Sequence, residues 1–73
     1  MTYRKGQLVK LTAGEHTVTA EIAMASKNGK SLFVRFEAIV NGHVGGMPLL
    51  QDDAGIYKSI VTGEPVTLEA VNP

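Results

Sequence analysis

Apolar and polar residues alternate along most of this chain in six short runs, at residues 7–12, 16–26, 31–40, 43–50, 56–62 and 65–71. Glycine and Asn-Gly punctuation separates them: Ala13-Gly14, Lys27-Asn28-Gly29, Asn41-Gly42, residues 51–55 and Gly63-Glu64. Runs of this length, rich in Val, Ile, Thr and Phe and bounded by turn residues, read as strands joined by hairpins.

The alternation predicts which side chains share a face. In residues 16–26, Val18, Ala20, Ile22 and Met24 oppose Thr17, Thr19, Glu21 and Ala23. In residues 31–40, Leu32, Val34, Phe36, Ala38 and Val40 oppose Phe33, Arg35, Glu37 and Ile39. A two-residue Asn28-Gly29 turn would set Met24 opposite Phe33 and Ile22 opposite Arg35, mixing core with surface. A three-residue turn, with Gly29 in the left-handed region, pairs Met24 with Leu32, Ile22 with Val34, Ala20 with Phe36 and Val18 with Ala38. It also pairs Glu21 with Arg35 on the other face. A one-residue slip turns every side chain over, so the three-residue turn is preferred.

Asn41-Gly42 suits a two-residue type I′ turn. It sets Val40 opposite His43, Ile39 opposite Val44, Phe36 opposite Met47 and Val34 opposite Leu49, with Gly45 and Gly46 opposite Ala38 and Glu37. Pro48 has no N–H for a ladder and belongs at an edge or a bulge. Upstream, Leu11 opposite His16 and Val9 opposite Val18 extend the inner face. Residues 65–71 form the last strand. Residues 56–62 are left open between strand and single helical turn. Asp53, Gly63 and Pro65 stand in the order of helix start and stop signals, whereas Ile60-Val61-Thr62 is a β-branched run. The fold class is therefore all-β: a small antiparallel barrel or curled meander of five to six strands. SH3-like and OB-like barrels are the architectural parallels, with one short helical turn before the last strand as a variant.

Seventy-three residues make one domain over 1–73. A chain this short hides only about 60% of its unfolded surface, so its core is thin. Without cysteine it has neither disulfides nor cysteine–zinc sites to staple it. Tight packing or burial against another chain must compensate, a first indication of self-association. Seven basic and seven acidic residues cancel, which removes strong long-range attraction to nucleic acid or anionic membranes. No apolar run approaches the ~20 residues of a membrane span. The polar stretch at residues 1–6 is no targeting signal, which makes the cytoplasm the expected location.

Candidate chemistry is sparse. His16 and His43 are placed on the inner face, flanking Val40, with backbones about 10 Å apart. A metal site there would need a third ligand, so partly wet histidines at the barrel end are the preferred reading. Asp52 and Asp53 stand together in a loop, but calcium needs six to eight ordered oxygens, and turn formation explains them better. Ser26, Ser31 and Ser59 lie outside any Gly-x-Ser-x-Gly pattern. The glycines of Gly42-His43-Val44-Gly45-Gly46 precede neither a helix start nor a lysine, as a phosphate loop would require. No catalytic, cofactor or metal residue is nominated, and the chain is expected to be non-enzymatic.

The outer face of the middle strand is more informative. Phe33 and Ile39 are large and apolar where a half-solvated strand should be polar; Ala23 and Ala25 neighbour Phe33. Either residues 56–62 or another molecule must cover them. The expectation is a protein–protein interaction or assembly module, self-associating or binding another protein. Phe33, Ile39 and Val44 would supply apolar contact, and Glu21 and Arg35 orientation. One alternative is a nucleic-acid-binding barrel using Lys27, Lys30, Arg35 and Phe33, disfavoured by Glu21 and Glu37 on the same face. Another is a virion or accessory assembly component, which rests on fold analogy alone.

Overall fold

A computed structural model describes residues 3–71; Met1 and Thr2 of the polar N-terminal stretch, and Asn72 and Pro73, lie outside it. The alternating runs form β1 (Leu8–Ala13), β2 (His16–Ala25), β3 (Ser31–Val40), β4 (His43–Gln51), β5 (Tyr57–Ser59) and β6 (Pro65–Ala70). Each strand pairs antiparallel with the next, and β6 returns to β1 to close a barrel. Inward side chains fill the interior: Val9, Leu11, Ile22, Val34, Val40, Met47 and Leu49 are fully buried among them.

The turns explain where the registers depart from strict alternation. Asn41 and Gly42 take φ of 49° and 84°, as a type I′ hairpin requires, and Val40 pairs with His43 and Ile39 with Val44 as predicted. Further along, Arg35 pairs with Gly46, Val34 with Met47 and Leu32 with Leu49. The expected Phe36–Met47, Val34–Leu49 and Glu37–Gly46 pairs are thus displaced by two residues. Residues 36–38 of β3 face Gly45 alone, which bends away at φ 81°. An even shift leaves every side chain on its predicted face.

The β1–β2 hairpin shows the same parity. It closes through Gly14-Glu15, so Ala13 pairs with His16, Leu11 with Val18 and Val9 with Ala20, not Leu11 with His16 and Val9 with Val18. His16 therefore sits at the barrel rim and is exposed, contrary to its expected inner position.

Between β2 and β3 both turn registers occur, one on each side of a bulge. Near the turn Met24 pairs with Phe33 and Ala25 with Leu32; beyond Ala23, Ile22 pairs with Val34 and Glu21 with Arg35. Side chains knit the loop: Ser26 Oγ donates to Asn28 Oδ1 at 2.7 Å, Lys30 N–H to the same oxygen at 3.0 Å, and Ser31 N–H to Ser26 Oγ at 3.0 Å. One extra residue at Ala23 turns Met24 outward, where it is 65% exposed. The predicted Met24–Leu32 pair is replaced. The ladder ends at Glu21 and Arg35, so Ala20–Phe36 and Val18–Ala38 do not form.

Residues 56–62 are strand followed by turn, with no helix. Three residues make β5, then the chain turns, with Gly63 N–H donating to Ser59 O at 2.8 Å and Gly63 at φ 78°. Pro48 O accepts from Ile60 N–H at 2.9 Å. A residue's N–H and C=O share one side of a strand, so the donor that Pro48 lacks would point to the place where β5 has already ended.

Both barrel ends are tied by side chains. At one, Tyr57 OH donates to Gly29 O, and Tyr3 packs edge-on against Tyr57 at 6.1 Å. At the other, Asn41 Nδ2 donates to Ala13 O and to Glu64. There too, buried His43 contacts Val40 O through Nδ1 at 2.9 Å and Ser59 Oγ through Nε2 at 2.7 Å. A carbonyl only accepts, so Nδ1 carries the hydrogen and Nε2 accepts the Ser59 hydroxyl. Ser59 Oγ in turn accepts Val61 N–H at 3.2 Å and Thr62 N–H at 3.3 Å. Ser59→Ala would leave Nε2 and the turn amides without partners. Urea denaturation should show a loss of about 1–3 kcal/mol; an unchanged midpoint would show that the network is dispensable.

Candidate interaction surface

Outward positions on adjacent strands line up where their registers meet. Met24 pairs with Phe33, Phe33 with Pro48, and Pro48 is bonded to Ile60. These four residues form an apolar row running across β2, β3 and β4 to the turn after β5. Met24 and Ile60 are 65% and 61% exposed, and Phe33 is 38% exposed. Phe33 is held down because its ring lies on Gly46: a Cβ there would stand 2.6 Å from Phe33 Cζ and 2.8 Å from Val34 O.

A charged pair borders this row. Arg35 Nη2 meets Glu21 Oε1 at 2.5 Å, the cross-strand pairing expected from the sequence. Hydrogen bonding to Glu21, and then its charge, push the Arg35 guanidinium still higher than its ordinary value. Both side chains are solvent-facing, so the pair adds little stability.

Ile39 and Val44 pair with each other and are 68% and 76% exposed. They lie six residues along β3 from Phe33, about 20 Å at strand rise, with Arg35 and Glu37 between. The predicted interface is therefore two surfaces: a row at Phe33 beside Glu21 and Arg35, and a separate pair at the β3–β4 hairpin. Residues 56–62 contribute Ile60 to the row and leave Ile39 and Val44 open. Met24 and Ile60 escaped sequence reasoning because a bulge and a turn aim them. The Ser26-x-Asn28 pair, which favours local turns over ladder bonds, was the available signal for Met24.

Of the nucleic-acid candidates, Lys27 and Lys30 lie in the exposed β2–β3 loop, while Arg35 is engaged by Glu21. The histidines do not converge, His16 being exposed at the rim and His43 buried at 6%. Among the described residues no group of three His, Asp or Glu is placed to hold a metal. Ser59 and His43 share a hydrogen bond, and Ser59 is only 2% exposed. Asp52 organises its own loop: Oδ1 accepts Ala54 and Ile56 N–H at 2.9 Å each, and Oδ2 meets Lys58 Nζ at 3.2 Å. The Ile56 bond foremost, with Lys58 and Ala54, holds this carboxylate below its ordinary range.

No protein-family model, curated protein or solved structure matches this chain.

Gly46→Ala should lower stability by about 1–3 kcal/mol, since backbone as well as ring must yield; chemical denaturation that leaves the midpoint in place would refute the close packing. Asp52 is more acidic folded than unfolded, so its contribution is complete above the unfolded titration and fades as pH falls through the lower folded one. The protection of the Ala54 and Ile56 amides, measured against their intrinsic exchange rates, should therefore fall below about pH 4. Asp52→Asn, which keeps the Oδ1 acceptor, should remove that pH dependence; its persistence would assign the effect elsewhere.

Proposed function

We propose that this chain is a non-enzymatic protein–protein interaction module of the cytoplasm that self-associates. The observation carrying this reading is the exposed row Met24–Phe33–Pro48–Ile60 with Glu21 and Arg35 at its border. Apolar side chains aligned across neighbouring strands supply contact area that hydration disfavours. A border holding one acid and one base is complementary to its own copy in the symmetric arrangement most homodimers adopt. Zero net charge removes long-range repulsion between copies. The interior, filled by side chains, supports contact through the outside of the barrel. Ile39 and Val44 offer a second, smaller contact. The small closed β-barrel fold adds no function by itself.

Size-exclusion chromatography with light scattering, over a range of concentrations, tests the reading. The wild type should elute at a multiple of its 7.8 kDa mass, and Phe33→Glu should return it to monomer with unchanged circular dichroism. Met24→Glu, at a more exposed position, guards against a folding defect at Phe33. Monomeric wild type at every concentration would overturn self-association, and co-eluting nucleic acid would favour the Lys27–Lys30–Phe33 alternative.

A further inference from the structure

Hydrogen bonds alternate in direction along an antiparallel strand. Val71 N–H donates to Leu8 O at 3.1 Å, and Lys10 pairs with Glu69 and Thr12 with Thr67 two and four residues along. Residues 67, 69 and 71 therefore bond toward β1, and the backbone N–H and C=O of Leu68 and Ala70 point away from it. On that side β5 extends only as far as Tyr57, opposite Val66. A longer β5 would place Gly55 opposite Leu68. Instead the chain leaves at Ile56, whose C=O and N–H are taken by Asp52. Among the described residues Tyr3 occupies the vacated place, its hydroxyl donating to Leu68 O at 3.2 Å. A groove of about 600 Å³ opens here, with Tyr3, Gln51, Ile56, Tyr57, Thr67 and Leu68 in its lining. Ile56 is 46% exposed beside it.

We propose that the Leu68–Ala70 edge of β6 binds an extended peptide segment of another protein by strand addition. Main-chain groups of the peptide would pair with the outward N–H and C=O of Leu68 and Ala70, continuing the ladder that β5 begins. The peptide residue opposite Leu68 shares its inward face, against Tyr3 and Tyr57, and must be apolar. Its neighbours project outward beside Thr67 and are polar. The matching partner is a short polar–apolar–polar segment, and Tyr3 OH is the placeholder that it displaces from Leu68 O. This site is separate from the Met24–Phe33 row, so either can fail without the other.

The test is an NMR titration of ¹⁵N-labelled protein with acetyl-Thr-Val-Thr-Val-Thr amide. Saturable shifts are expected at the amides of Leu68 and Ala70 and at Tyr3 and Ile56. Ala70→Pro deletes a donor that points away from β1, and so no bond to β1, a tolerated place for proline. It should keep a dispersed spectrum and weaken binding about tenfold, the order of one lost hydrogen bond. Tyr3→Phe, lacking the competing hydroxyl, should bind more tightly. The same peptide N-methylated at both valines should not bind, a control that stands even if Ala70→Pro fails to fold. No saturable shift at Leu68 and Ala70, or equal binding by the N-methylated peptide, would overturn the proposal.

Discussion

Closure of β6 onto β1 is the constraint on which the rest of this structure depends. A six-strand sheet this small has too little surface to bury one face against a separate layer, and no disulfide to hold it. Curling until its first and last strands pair lets the sheet provide its own second layer. Val9, Leu11, Ile22, Val34, Met47 and Leu49 then meet around one axis. The pairs from Val9–Ala70 to Thr12–Thr67 seal the cylinder and cover the edges that would invite aggregation, except where β5 stops short of Leu68 and Ala70 on β6.

Curvature has to be built into the strands, and it is introduced where the ladders break step. One break lies at Ala23 in β2, the other where residues 36–38 of β3 face Gly45. The two differ in consequence. A displacement of two residues preserves the faces, so the core set along β3 and β4 is undisturbed. A displacement of one exchanges them, and Met24 passes from the core to the surface beside Phe33. The same bending that closes the barrel thus creates its exposed apolar row.

Closure is thinnest at β5, where only Tyr57 and Lys58 reach β6, opposite Val66 and Pro65. The loop knit by Asp52 draws the chain off the sheet, and Ser59, held by His43, folds it back through the turn. Between those two local structures there is room for three strand residues and no more. Tyr3 from the N-terminal segment reaches Leu68 in the gap, so hydrogen bonding across this seam passes from backbone to side chain.

Much of this was legible in the sequence: the all-β class, six alternating runs, the Asn41-Gly42 hairpin, Gly29 at positive φ, the inward set, and the Glu21–Arg35 pair. Each follows from local rules, either a two-residue period or a turn that demands a particular backbone conformation. Hidden from it were the positions of the two ladder breaks, the exposure of Met24 and His16, and the pairing of His43 with Ser59. These depend on how far each strand must bend for β6 to reach β1. Bending is set by the whole cylinder at once, and alternation along one strand carries no record of it.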